Sequence, residues 1–530
     1  MRSIVLSGAL ALGAILPAGG LAAQAAPLTG FDAYVAKALE EWRVPGIALA
    51  VVHGDSVILL RGYGVRQAGH PEPVTARTMF EIGSTSKAFS SALLAMLVDD
   101  GKVAWDDPVT KHLPWFALKD PWVTREVTVR DLLSHRVGVT GNSNALLTVD
   151  RTEIIRRLRY LEPNLTFRDR YDYSNMLYAT AGEVAAAAAG KSWEALLKER
   201  ILNPLGMRQT TTDISRFFDS TRFAHCFYCA FPNEPVTIDQ AIGRQDVAMP
   251  HMLVGDTVRS IPWQSYDNAV SAGSVISNVT DMAEWLRLLL GEGTYRGRRL
   301  IKPETFAELH KPQSIIRPAG WLALVADRSP TTHFWAYGLG WRMNDYRGRK
   351  VVWHTGGIAG FLAYVGLVPE EKLGIVALSN GDLGYELLPQ SLALRIIDVI
   401  LGGGPPRDWS AELASAMAAD RRSAEAARRK ELAARVQGTH PSLPIERLAG
   451  RYTSDIYGDV TVTARGGRLF LNMGEGARGE LVHWHYDMFR LELNASNSFG
   501  SFTTFRISPA GQVDALIIEG MGELRRSGEA

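Results

Sequence analysis

Apolar, strand-like runs stand at both ends of the region from Phe31 to about Ile400, and helical runs fill its middle. Gly46–Val52 followed by Ser56–Leu60, turning at His53-Gly54-Asp55, predicts a hairpin. Gly360–Val368 and Leu373–Ser379, around Pro369-Glu370-Glu371-Lys372, predict a second one. Between them, Lys87–Val98, Glu183–Leu202 and Met282–Leu290 carry apolar residues at helical spacing. This pattern suits one antiparallel sheet assembled from both ends of the region and packed against the helical section. The order excludes the regular strand–helix alternation of a doubly wound parallel sheet. The expected class is α/β in the α+β sense, an antiparallel sheet flanked by a helical subdomain.

Gly402-Gly403-Gly404-Pro405-Pro406 ends this region. An Ala-, Arg- and Glu-rich stretch, Ser410–Val436, reads as a connector helix with only a narrow docked face. From Ile445 onward short strand-like runs and Gly-rich turns predict a small C-terminal β-barrel domain. At the other end, Arg2, the apolar run Ile4–Leu16 and Ala23-Gln24-Ala25 read as a cleaved export signal, because the run is shorter than a membrane span. The expected division is a signal peptide over 1–25, a hydrolase domain over 28–402, a linker with its helix over 403–440 and a barrel over 441–530. A periplasmic or secreted protein follows, with no membrane insertion after signal cleavage. In that setting Cys226 and Cys229, the only two cysteines, read as a short-loop disulfide ahead of free thiols or a metal pair. Lys and Arg number 57 against 56 Asp and Glu, which removes the basic excess a charge-driven nucleic-acid binder needs. Oligomeric state is left open by the sequence.

The chemistry is narrowed by elimination. There is no H-E-x-x-H, no P-loop and no G-x-S-x-G elbow. The G-x-G-x-x-G match at Gly474–Gly479 lacks a following helix and is discarded as a nucleotide loop. Gly83-Ser84-Thr85-Ser86-Lys87 opens a predicted helix, which places Ser84 and Lys87 on one face. A desolvated amine can take the proton of a serine hydroxyl, and the helix N-terminus favours the developing alkoxide. Downstream, Tyr173-Ser174-Asn175 precedes another helix. A buried tyrosine beside a lysine is expected to hold a lowered pKa and shuttle a proton, and Asn175 can orient the lysine or a substrate carbonyl. His354-Thr355-Gly356-Gly357 ends a strand, where an edge N–H near Gly357, with that of Ser84, can form an oxyanion hole. His135 lies outside these motifs and reads as a structural histidine with its hydrogen bonds made.

Ser84/Lys87, Tyr173/Asn175 and His354-Thr355-Gly356, in that order, resemble the three motifs of the serine β-lactamase and penicillin-binding-protein superfamily. The likeness is strongest to its class C-like branch of esterases and serine peptidases. Val44-Pro45-Gly46, Leu132-Leu133-Ser134-His135, Ala272-Gly273-Ser274 and Tyr337-Gly338-Leu339-Gly340-Trp341 extend it over about residues 30–400. The end of the chain, with Tyr452, Gly458, His483-Trp484 and Tyr486-Asp487, is similar to the lipocalin-like domain of some exported members. The resemblance implies a β-lactamase/transpeptidase-like fold and a metal- and cofactor-independent hydrolase. Its acyl-enzyme would form on Ser84, with Lys87 and Tyr173 handling protons and Asn175, His354, Gly356 and Gly357 receiving substrate. The expected substrates are small peptides: D-residue peptides, cell-wall fragments or unusual linear peptides such as linearised microcystin. The alternatives are a carboxylesterase or weak β-lactamase on the same machinery, and a non-catalytic wall-binding sensor. Two departures stand out. Penicillin-recognising members carry Lys where this chain has His354, and Arg136-Val137-Gly138 replaces a Thr-Ser-Gly-like continuation. The walls that set specificity are expected from loops within 208–268.

Overall fold

The computed structural model describes residues 28–139, 150–219, 245–254, 256–382, 387–474, 478–493 and 501–528. The predicted signal peptide and Cys226/Cys229 lie outside the described residues.

Both predicted hairpins form, and they meet. The first is β1 (Gly46–His53) with β2 (Ser56–Gly64). After the short β3 (Ser314–Ile315) and β4 (Trp335–Tyr337) come β5 (Arg342–Tyr346) and β6 (Arg349–Ile358). The second hairpin is β7 (Phe361–Val368) with β8 (Leu373–Ser379). They build one eight-stranded sheet in the order β2-β1-β8-β7-β6-β5-β4-β3. Its seam is the antiparallel β1–β8 pair, with Ala50 opposite Val376.

Strand β1 is apolar without a break because both faces of the sheet are covered. Ala48, Ala50 and Val52 point into one core. Ile47, Leu49 and Val51 point into the other. The first core holds α2 (Ser86–Asp99), α3 (Asn175–Ala189) and α4 (Val279–Leu290). The second is closed by α1 (Phe31–Trp42), α5 (Leu387–Leu401) and the start of α6 (Trp409–Ala433). Helix α2 is buried on every side from Ser86 to Leu97, which its Ala-, Leu- and Met-rich sequence permits.

The helix expected over Glu183–Leu202 is not continuous. Helix α3 starts earlier, at Asn175, and stops where Gly190 takes φ +67°. A new turn then begins with the Ser192 hydroxyl accepting from Ala195 N–H. The apolar periodicity carries across the break because both pieces pack on the same core.

Helix α6 is docked only through its first turns, and from Ala418 to Ala434 every residue is exposed. At its end Arg435 donates to the carbonyls of Trp484 (2.7 Å) and His483 (3.0 Å), tying the helix to the C-terminal domain. That domain is a closed barrel of eight strands, β9 (Gly450–Ser454) through β16 (Gly522–Gly528). Its interior is filled by side chains such as Tyr452, Phe489, Phe505 and Leu516. The barrel meets the helical subdomain where Arg157 donates to the Ile456 carbonyl (3.1 Å). The described residues after Gly474 begin with a strand, Arg478–His485, rather than the helix a nucleotide loop needs. No helix among the described residues is long and apolar enough to cross a membrane.

Candidate active site

Three segments converge at the end of α2. A short pairing of Phe80–Glu81 with Ile276–Ser277 brings residues 270–277 beside the turn Gly83–Thr85 that enters the helix. Ser86 Oγ accepts from Val275 N–H (3.1 Å) and Ser90 Oγ donates to the Ser271 carbonyl (2.6 Å), fixing the Ala272 carbonyl between them. From the other side, the segment ahead of α3 delivers Tyr173 and Asn175.

Lys87 is fully buried, and its Nζ lies 2.7 Å from Asn175 Oδ1, 2.8 Å from the Ala272 carbonyl and 3.0 Å from Ser84 Oγ. Burial, with Arg342 nearby, drives its pKa well below that of an ordinary lysine. The rings of Tyr173 and Tyr178 lie 4.8 and 5.3 Å from Nζ and return part of the desolvation cost of the charged form. A neutral amine has two N–H donors and one lone pair. Asn175 Oδ1 and the Ala272 carbonyl can only accept, so they take both donors. The lone pair then faces the Ser84 hydroxyl.

Tyr173 donates to Ser84 Oγ (2.7 Å). Contrary to the sequence expectation, its pKa is raised, by burial first and then by Tyr171, so it rests as a neutral phenol. Lysine cannot lower it as a cation when burial keeps the lysine neutral.

Gly356 lies against the nucleophile turn. A Cβ on Gly356 would stand 2.0 Å from the Ile82 carbonyl oxygen and 3.2 Å from Ser84 N. Gly83 (φ +52°) is also closely packed, though less so, at 2.9 Å from Gly357 N by the same construction. These two glycines let the Ser84 and Gly357 amides approach each other, as an oxyanion hole requires. Strand β5 pairs with β6 only as far as Trp353, so the β6 edge from His354 to Gly357 faces the cleft without a β5 partner.

His354 lines the cleft, but its ring is occupied. Nδ1 lies 2.5 Å from the Thr355 carbonyl, which can only accept, so Nδ1 carries the proton. Nε2 then accepts from the Tyr337 hydroxyl (2.9 Å). Burial, Arg342 and Lys87 lower its pKa well below the usual histidine value. The positive charge of this corner comes instead from Arg342. Its Nη1 donates to Thr355 Oγ1 (2.8 Å), and its guanidinium lies 5.4–5.9 Å from the ring centroids of Trp353, Trp321 and Tyr173.

The cleft, of about 500 Å³, is completed by Tyr171, Ile316, Arg317, Trp321 and Leu322. Among the described residues the walls come from the segment around 316–322 and the loop before α3, and part of the expected source, residues 220–244, lies outside the described residues. No group of three or more His, Cys, Asp or Glu residues among those described could hold a metal ion.

The loop carrying Tyr173 is itself braced. Asp131, fully buried, receives Arg136 (2.5 Å) and Arg168 (2.7 Å), which explains the arginine in Arg136-Val137-Gly138. Arg168 N–H donates to the Arg136 carbonyl (2.8 Å) and Asp172 N–H to the His135 carbonyl (2.7 Å).

Sequence matches agree with this geometry. The β-lactamase family profile covers residues 31–393. The chain belongs to the β-lactamase family. Residues 434–528, the barrel, match a domain of unknown function, DUF3471. The chain is 29% identical over 471 residues to unguisins hydrolase ungD of Aspergillus violaceofuscus, spanning 84% of this chain and 78% of that one. An octameric penicillin-binding protein homologue from Pyrococcus abyssi shares the fold with TM-score 0.58, 21% identity and coverage of 94% and 99%. A D-stereospecific amidohydrolase from Streptomyces does so with TM-score 0.51 and 21% identity over 72% and 99%. This β-lactamase-family fold is a serine hydrolase fold, and it carries the Ser84–Lys87–Tyr173 cluster at its cleft.

Ser84, Lys87, Tyr173, Asn175, Gly356 and Gly357 thus fall at one place, and His354 lies beside them with both nitrogens engaged. Arg342 and Asp131 were not singled out from sequence, and Ala272 and Tyr337 were noted only within the wider resemblance, without a role at the site. A backbone carbonyl leaves no sequence signal, whereas Arg342 directly follows the Tyr337–Trp341 stretch and could have been found there.

Proposed function

We propose that the protein is an exported hydrolase that cleaves amide bonds in small peptides through an acyl-enzyme on Ser84. The observation that carries this reading is the position of Ser84 Oγ, 3.0 Å from Lys87 Nζ and 2.7 Å from the Tyr173 hydroxyl. Lys87 takes the Ser84 proton as Oγ bonds to the substrate carbonyl carbon. The amides of Ser84 and Gly357 receive the oxyanion. Tyr173 protonates the departing amine as the C–N bond breaks, and the Lys87 ammonium restores the tyrosine proton. Water then attacks the ester by the reverse proton path and frees Ser84.

A poor amine leaving group needs a proton donor more than an alkoxide does, so a resting phenol on Oγ favours amides over esters. Arg342 suits a free carboxylate, consistent with a linear peptide presenting its C-terminal end. The unguisins hydrolase and the D-stereospecific amidohydrolase support hydrolysis of unusual peptides, with linearised cyanobacterial peptides such as linear microcystin among the candidates. The octameric relative supports an oligomer.

The test is to incubate the protein and its Ser84→Ala variant with L- and D-residue peptides and matched esters, reading products by mass spectrometry. Ser84-dependent peptide cleavage is expected. Ester cleavage alone would replace the reading with an esterase, and no turnover of either would refute it.

A further inference from the structure

His135 is read from sequence as a structural histidine with its hydrogen bonds made, yet one ring nitrogen is unpartnered and the residue holds Tyr173 from both sides. Its carbonyl accepts from Asp172 N–H (2.7 Å) and its Nδ1 accepts from Ser174 N–H (3.1 Å). The residues immediately before and after Tyr173 are therefore hydrogen-bonded to one histidine. The ring also packs on the Tyr173 ring, with centroids 4.3 Å apart.

The imidazole is committed to this task. Because Nδ1 accepts, the ring proton sits on Nε2. Nε2 is buried without a hydrogen-bond partner, enclosed by the rings of Tyr171, Tyr178 and Tyr337 at 4.8–5.6 Å. Burial, then Lys87, His354 and Arg342, lower its pKa well below the usual value and keep it neutral, the only form in which Nδ1 can accept. The backbone conforms as well: His135 adopts φ +54°, a left-handed conformation in which histidine and asparagine are enriched. A side chain that leaves one buried N–H unpaired adds little to stability by itself, while its other nitrogen fixes the backbone of the proton donor.

We propose that His135 is a positioning residue that sets the Tyr173 hydroxyl on Ser84 through its Nδ1 acceptor. The proposal rests on the reading of Tyr173 as the proton donor to the leaving group. A misplacement of about 1 Å in a reacting group costs about 10²-fold in rate.

Three variants separate the acceptor from packing and backbone. His135→Asn keeps an acceptor oxygen near the Nδ1 position and tolerates the positive φ. His135→Phe keeps a ring without an acceptor, and His135→Gly keeps the backbone without either. Peptide kinetics should show kcat down about 10²-fold in the Phe and Gly variants with KM within about threefold, and within about tenfold of wild type in the Asn variant. Hydrogen exchange at the Ser174 amide gives a readout independent of turnover. It should accelerate by at least about tenfold in the Phe and Gly variants and stay near wild type in the Asn variant. Wild-type-like kcat and Ser174 protection in the Phe and Gly variants would overturn the proposal, as would an Asn variant as impaired as they are. A wild-type enzyme without Ser84-dependent cleavage refutes the peptidase reading instead, and Ser174 exchange still decides the contact.

Discussion

Gly356→Ala tests the oxyanion hole through sterics alone. The added methyl would lie 2.0 Å from the Ile82 carbonyl oxygen and 3.2 Å from Ser84 N. Carbon–oxygen contacts settle at about 3.3–3.6 Å, so strand β6 and the nucleophile turn must separate by more than about 1 Å. Hydrogen bonds to an oxyanion act at about 2.7–3.1 Å, and that separation removes one donor from range. The expected loss is about 10²–10³ in kcat, or about 2.7–4 kcal/mol of transition-state stabilisation. Overpacking costs folding about 1–3 kcal/mol, less than a domain's usual stability of about 5–15 kcal/mol, so the variant should still fold. Gly360→Ala is the control for a clash away from the cleft, with backbone strain added by its φ of +81°. Its Cβ would meet Pro250 Cβ at 2.4 Å and His251 N at 2.7 Å, and Gly360 lies outside the cleft lining. Steady-state kinetics on a peptide and an ester, with thermal melts, should show both variants destabilised and only Gly356→Ala catalytically crippled. Retained kcat in Gly356→Ala, or an equal loss in Gly360→Ala, would refute the reasoning.

Lys87→Met should lower kcat by at least about 10³ while the melting temperature holds or rises, since it removes a buried amine without creating a cavity. In the wild type, the Lys87 pKa is lowered, so the active neutral amine is present well below the ordinary lysine range and activity should rise with pH through that lowered value. Arg342→Ala should raise KM by about 10–100-fold for peptides with a free C-terminal carboxylate and leave their amidated counterparts nearly unchanged. Asp131→Asn should cost about 3 kcal/mol in urea unfolding by stranding Arg136 and Arg168. Asp131 titrates below its ordinary value in the folded protein, so its contribution is present above about pH 4 and lost as pH falls through the folded value. The stability gap between wild type and Asp131→Asn should therefore close at low pH.

The sheet was legible because burial on two faces makes β1, β7 and β8 apolar throughout, a signal that survives sequence separation. Loop chemistry marked the turns between them, and the Gly402–Pro406 cluster separates α5 from α6, although Trp409, Leu413 and Met417 beyond it still pack in the second core. The break after α3 was not legible, since Trp193, Leu196 and Leu197 continue the apolar spacing into the same core while only Gly190 and Ser192 signal a stop. In the barrel the same weakness appears. Gly522–Gly528, with Leu524 its only fully buried side chain, carries little apolar pattern and is set by closure of the barrel.

At the site, residue type was legible and electrostatic state was not. Sequence places Tyr173 next to Lys87 and suggests a cation lowering a phenol. Burial reverses this, because an amine held by Asn175 Oδ1 and the Ala272 carbonyl, with no carboxylate bonded to it, gains more from being neutral than charged. Once the lysine is neutral the phenol keeps its proton, and in the proposed mechanism the two groups divide the work, a base on one side of Ser84 Oγ and an acid on the other. His354 follows the same logic. A charged side chain there would stand close to Arg342, so the third motif carries a neutral ring locked by Tyr337 and Thr355. The positive charge of this corner moves to a guanidinium supported by Trp321 and Trp353 at the cleft, where the proposed function has it meet a substrate carboxylate. Which group carries charge depends on what each is buried against, and that depends on contacts between β5, β6 and the loop before α3, which only the folded chain brings together.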